Sequence, residues 1–175
     1  GDVVGKSASK QKIAMAMMAT MRGIPQVFYG EEMMLCSADL SQGHGGLRID
    51  FPGGWATDKT NLLTAEGRKG QNKELFDFSA RLFNWRKDKE VIHNGQTMHF
   101  MTRDNTYAYF RYNDDEAVFV YINNSGETKN IPWSNYAEIG ATLKDGRCVI
   151  SGEQVVVDNN TKVAPHSVIV VEYKR

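Results

Sequence analysis

After Asn94-Gly95 the hydrophobic period of the chain changes from helical to that of strands. Residues 97–102, 107–112, 117–123, 129–133, 139–143, 148–150, 155–157 and 167–173 are short β-prone runs. Asp-Asn, Asn-Asp-Asp, Asn-Asn-Ser-Gly, Asp-Gly and Asp-Asn-Asn separate them, and these are turn-forming combinations. Parallel pairing needs a crossover of a dozen or more residues, so runs this close together pair antiparallel. The pattern predicts an antiparallel β-sandwich over residues 90–175. Tyr107-Ala108-Tyr109-Phe110-Arg111-Tyr112 alternates most clearly, which implies one face packed and the other turned to solvent or to a neighbouring element.

The first half reads differently. Ile13, Met17, Thr20 and Met21 recur at helical spacing behind Ser7 and Ser9, either of which suits the cap, so residues 9–22 are predicted as a helix. Gly23 and Pro25 end it, and Val27-Phe28-Tyr29 is an apolar run suited to a buried strand. A second helix is expected over 71–88, capped by Asn72, with Leu75, Phe78, Leu82 and Trp85 on one stripe and Phe76 and Phe83 widening it. Its period assigns that stripe to core packing, and Arg86, Lys87 and Lys89 read as a solvated helix end whose charge suits the dipole. The chain is thus α+β, divided into residues 1–89 and 90–175.

With 21 basic and 21 acidic residues among 175, nothing draws the chain as a whole to nucleic acid or to an anionic membrane. No apolar span is long enough for a membrane helix, and no secretory signal pattern is visible. Cys36 and Cys148 fit either a disulfide or two free buried thiols and match no metal-ligand spacing. His93, His99 and His166 are isolated, so loop or core roles are expected and no metal is assigned to this chain. Tyr107, Tyr109, Tyr112, Trp133 and Tyr136 admit two readings, a sugar-stacking surface or the interior of the sandwich.

Residues 33–70 lack periodicity, and an irregular connection of this length in a compact domain is usually either a functional loop or disordered; a functional loop is expected for this one. Within it, His44, Arg48, Asp50 and Trp55 stand among glycines and together offer hydrogen bonds, charge and a stacking plane, groups that suit a polyhydroxylated ligand. A structural role fits Arg48 equally, through Asp50 or a backbone carbonyl. Glu31 and Glu32 follow the apolar run, where barrel enzymes place reacting groups.

Residues 23–32, Gly-Ile-Pro-Gln-Val-Phe-Tyr-Gly-Glu-Glu, resemble the last barrel strand and following loop of the α-amylase superfamily, glycoside hydrolase family 13. Asp50-Phe-Pro-Gly-Gly-Trp55 is similar to the neopullulanase and cyclomaltodextrinase branch, and Ala164-Pro165-His166-Ser167 to the family's closing segment. The resemblance implies the last strand and helices of a β/α barrel followed by a C-terminal sandwich. It implies a parent that cleaves α-1,4-glucans with retention, with His44, Arg48, Asp50 and Trp55 near the substrate. Many members carry in this loop an Asp followed four residues later by an Arg; Arg48 matches the Arg, and position 44 is His. The reacting carboxylates of the family lie on earlier strands, which argues against Glu31 and Glu32, and the Asn-His-Asp motif is absent from this sequence. The expectation is a C-terminal portion that is inactive alone and able to self-associate, with no cofactor of its own and any calcium site in the barrel portion beyond it. An extracytoplasmic location also follows from the resemblance to starch-utilisation enzymes. The competing expectation is a non-catalytic α-glucan-binding β-sandwich module.

Overall fold

A computed structural model of the protein describes residues 7–35, 41, 43–45, 48–158 and 160–175. Cys36 lies outside the described residues, and Cys148 is buried as a free thiol. The elements run α1 (Ala8–Thr20), α2 (Gly70–Arg86), α3 (Glu90–His93), β1 (Gln96–His99), β2 (Thr106–Tyr112), β3 (Glu116–Asn123), β4 (Lys129–Asn130), α4 (Ala137–Gly140), β5 (Asp145–Cys148), β6 (Gln154–Val156), β7 (Lys162–Val163) and β8 (Ser167–Lys174). One antiparallel sheet has the order β1-β2-β3-β8-β5-β6, and β4 pairs with β7 in a separate ribbon.

The two faces of the sheet carry separate cores. Tyr109, Val118, Val120, Ile122 and Val170 meet Ile13, Met15, Ala16 and Ala19 of α1 and Leu75, Phe78 and Leu82 of α2. On the other face, Ala108, Phe110, Phe119, Tyr121, Val171 and Tyr173 pack under Ile131, Trp133, Tyr136, Ile139 and Val163. The alternation of β2 and β3 produces this division, since successive side chains leave a strand on opposite sides. The second layer opposite the helices is a two-stranded ribbon with helical turns, a smaller cover than a second full sheet.

Ser7 caps α1, its hydroxyl accepting from the Lys10 amide at 3.4 Å. The interior of α1 is centred on Met15, Ala16 and Ala19, while Met17 and Met21 are only partly buried. Small alanines let α1 lie close to the sheet, and the Thr20 hydroxyl donates to Ala16 and meets the Tyr109 hydroxyl, both at 2.6 Å. Lys69, without a side-chain cap, precedes α2, and the Asn72 amide instead donates to the Met33 carbonyl.

Three local expectations are corrected. Val27-Phe28-Tyr29 forms no strand: Phe28 and Tyr29 are exposed, and Ile24 just before the run is 97% exposed. A buried parallel strand takes its ladder from neighbours on both sides, and the described residues supply neither. Residues 139–143 are not a strand either, because Ile139 and Leu143, four apart, turn to the same core from α4 and the turn after it. The cationic end of α2 is not simply solvated. Arg86 is buried and donates to the carbonyls of Ala19 and Gly23, while Lys89 is half-buried between two carboxylates.

Lys89 Nζ lies 2.7 Å from Glu172 and 3.5 Å from Glu116, and the Trp85 indole donates to Glu172 at 2.8 Å. Burial works against the charge on Glu172, but the hydrogen bonds from Lys89 and Trp85 outweigh it and hold the carboxyl below its ordinary 4.5. A carboxyl with a lowered folded pKa stabilises above its unfolded value and loses that contribution as pH falls through the folded one. Burial also opposes the charge on Lys89, yet pairing raises its pKa above 10.5, so the lysine contributes fully throughout the acid range. Urea titrations at about pH 7 and about pH 3 are expected to show a stability difference that shrinks in Glu172→Gln, with a cost of about 1 kcal/mol at the higher pH. An unchanged acid slope in the variant would assign the loss to other carboxyls.

Candidate functional site

The loop between the two long helices is held by its own backbone and by one carboxylate. Gly54 donates to Phe51 at 3.1 Å and the Leu62 amide to Pro52 at 2.9 Å, while the Leu62 side chain is buried. Asp58 accepts from the amides of Gly53 at 2.7 Å and Trp55 at 3.1 Å. These two bonds, the Gly53 bond foremost, lower the Asp58 pKa. Gly53 has φ 108°, and a Cβ there would stand 2.2 Å from Asn61 Oδ1, so the turn requires glycine.

Two arginine and tyrosine contacts tie the loop to the helices. Arg68 donates to the carbonyls of Leu62 and Leu63 at 2.9 and 3.0 Å, with its guanidinium 3.9 Å from the Phe76 ring centre. Tyr29 donates to the Ile49 carbonyl at 2.9 Å, which anchors the segment carrying Arg48 and Asp50.

The expected site residues lie along this loop. Arg48 and Asp50 are exposed, and the Arg48 amide donates to Gly45 at 3.0 Å. His44 belongs by its backbone to the helical turn Gly43–Gly45. Trp55 is 65% exposed, and its amide is fixed by Asp58. A large indole displayed by a braced turn offers a ready stacking plane. Asp58 itself escaped the sequence reading, although an acid three residues beyond Trp55 in a Gly-Gly turn is the available signal. Asp58→Ala is expected to accelerate amide hydrogen exchange at Gly53 and Trp55 by about tenfold with little effect on β2 and β3. Unchanged exchange at both amides would remove Asp58 from this bracing role.

Glu31 and Glu32 are consecutive on the helical turn Glu31–Met33, bounded by Gly30 at φ 86° and Met34 at φ 57°. Glu32 lines a groove of about 380 Å³ with Val27, Tyr29, Phe76, Ser79 and Phe83. The groove is chiefly apolar, and the Ser79 hydroxyl is buried without a hydrogen-bond partner among the described residues. Retaining glycoside hydrolysis uses two carboxyl groups opposed across the bond, roughly 5 Å apart, and of these two residues Glu32 is the one that lines the groove.

On the β half, Tyr109, Trp133 and Tyr136 are packed into the two cores and form no exposed aromatic platform. Tyr107 is partly buried beside His99, and Tyr112 donates to Gln96 at 2.8 Å. His166 holds a left-handed turn at φ 46°. Among the described residues no group of three histidine, cysteine or acidic side chains could hold a metal ion, and no helix is long and apolar enough to cross a membrane.

Comparison with known proteins adds the following. Residues 97–172 match the family model of the cyclo-malto-dextrinase C-terminal domain. A cyclomaltodextrinase of Thermoanaerobacter pseudethanolicus is 24% identical over 123 residues, covering 70% of this chain and 18% of that protein. Among solved structures, an α-amylase of Geobacillus thermoleovorans complexed with acarbose superposes with a TM-score of 0.68 at 18% identity, over 96% of this chain and 34% of its own. A γ-cyclodextrin glucanotransferase of an alkalophilic Bacillus clarkii gives 0.66 at 18% identity, over 98% of this chain and 24% of its own. The chain therefore spans less than two thirds of the length of these relatives, and the structural likeness is one of fold.

Proposed function

We propose, from the premise that this chain is the C-terminal part of an α-amylase superfamily enzyme with a cyclo-malto-dextrinase C-terminal domain at residues 97–172, that the complete enzyme cleaves α-1,4 bonds of maltooligosaccharides, cyclodextrins, pullulan or starch with retention. In this reading residues 1–89 complete a β/α barrel and residues 90–175 brace it. His44, Arg48, Asp50 and Trp55 contribute to the cleft wall, with Trp55 stacking on a sugar ring and Arg48 and Asp50 bonding to hydroxyls. Any calcium site would belong to the barrel portion beyond these residues, and no residue of this chain is assigned to chemistry.

The observation that carries the reading is the apolar surface on the N-terminal half. Ile24 is almost fully exposed, Phe28 and Tyr29 are exposed beside it, and Phe76 and Phe83 line the adjoining groove. An exposed apolar segment next to an open helix face suits a surface that further elements of a helix-covered sheet would bury. Barrel elements that covered this surface would also give 24–28 the ladder partners it lacks.

The test uses the chain as it stands, in light scattering and in a reducing-sugar assay with maltoheptaose and β-cyclodextrin. Self-association that rises with concentration, without turnover, is expected. Turnover would overturn the division of labour and return Glu31, Glu32 and Asp50 to consideration. A monomer at high concentration would count against the uncovered barrel surface.

A further inference from the structure

The sheet face away from α1 and α2 carries a second concavity, remote from the loop of Trp55. It has a volume of about 460 Å³, within the roughly 300–1,000 Å³ usual for small-molecule sites. Its inner wall is aromatic: Phe100 stands edge-on to Tyr136 at 4.8 Å, and Tyr121 edge-on to Tyr136 at 6.3 Å. Tyr121 and Tyr136 have buried rings, so packing fixes their positions, yet both line the cleft. Among the described residues neither hydroxyl has a hydrogen-bond partner, and neither is sealed away as a buried unpaired group. Burial, and to a lesser degree Tyr121, pushes the Tyr136 hydroxyl up to about 12, which keeps it a neutral donor.

The rim is preorganised. Asp104 and Asn105 have φ 49° and 58°, the paired left-handed conformation of a two-residue hairpin turn. Arg103 and Thr106 exchange backbone hydrogen bonds at 3.2 and 2.7 Å across that turn, and the Asn124 amide donates to the Asn105 carbonyl at 2.9 Å. Asn130 of β4 and Asn135 of the helical turn Trp133–Tyr136, both exposed, line the same cleft. Each carboxamide can donate and accept at once. The charged lining is balanced, with Arg103 and Lys129 against Asp104 and Glu138. A balanced rim gives no net attraction to an anion or a cation, while amides and phenols above an apolar wall match a ring that has hydroxyls at its edge and C–H groups on its face.

We propose that this cleft is a binding site for a neutral oligosaccharide, formed by Phe100, Tyr121, Asn130, Asn135 and Tyr136 and independent of any catalytic role. The experiment is an amide chemical-shift titration of the chain with maltotriose and, separately, cellotriose. Saturable shifts are expected at 103–106, 121, 130 and 135–136. Tyr136→Phe and Asn135→Ala, which spare the core, are each expected to weaken binding about fivefold, the usual effect of one lost hydrogen bond. Trp55→Ala leaves these shifts unchanged, which separates this site from the loop of the proposed function. Saturation by cellotriose alone would uphold a neutral-saccharide cleft while removing α-glucan as its ligand. Shifts confined to 48–55, or none with either sugar while the spectrum remains folded, would overturn the proposal.

Discussion

Replacing Arg86 by Met is expected to lower the stability of the chain by about 2–3 kcal/mol, although no acidic side chain among the described residues pairs with this arginine. Its two terminal nitrogens donate to Ala19 at 2.8 Å and Gly23 at 2.9 Å, so one guanidinium closes the end of α1 and fixes the turn that leaves it. The last carbonyls of a helix have no partner within it, and a positive charge at that end suits the dipole. Hydrogen bonds to charged groups contribute about 1.5–3 kcal/mol each. Against this stands the cost of burial, which lowers the Arg86 pKa and which Met would relieve. The balance favours arginine because methionine fills the volume but leaves the Ala19 carbonyl unpaired. For a chain of this size the loss corresponds to a melting temperature lower by about 5–10 °C. Arg86→Lys is expected to recover only part of it, since one ammonium cannot reproduce the fork. A Met variant as stable as the native chain would show that desolvation dominates at this site.

That residue also shows where sequence reasoning stops. A cationic triplet at the end of an amphipathic helix is what dipole arguments predict for a solvated terminus. Only the packing of α2 against α1 puts Arg86 over the carbonyls of Ala19 and Gly23. The strands at 107–112 and 117–123 were legible because the first alternates, the second is an unbroken β-prone run, and both are bounded by asparagine- and aspartate-rich turns. Lys162-Val163 was not, because a two-residue strand has no period to read. Ile139 and Leu143 misled because apolar residues four apart fit a helical turn as well as a short strand. In the loop, Trp55 and Arg48 stood out by chemistry, but the carboxylate that braces the turn is Asp58. The cleft of Asn130 and Asn135 was invisible for another reason: topology, not spacing, brings 100–106, 121 and 130–138 to one place.

Trp133→Ala is expected to cost about 3 kcal/mol and to show that a loss of sugar binding in this variant would be a loss of fold. The indole is only 5% exposed, lies 4.6 Å from Phe119, and stands edge-on to Tyr136 at 6.5 Å and Tyr173 at 6.3 Å. Truncating a buried Trp usually costs about 3–5 kcal/mol through lost transfer energy and the cavity left behind. The lower end applies because the Trp133 indole nitrogen is buried without a hydrogen-bond partner among the described residues, so its removal relieves about 1 kcal/mol. Trp133→Phe keeps the ring contact and removes the orphan N–H, and it is expected to stay within about 1 kcal/mol of the native chain. The pair of variants separates packing from ligand contact. If Trp133→Phe melts like the native protein and also binds maltotriose as it does, Trp133 belongs to the interior. Native-like melting with selective loss of maltotriose binding would instead place the indole on the sugar.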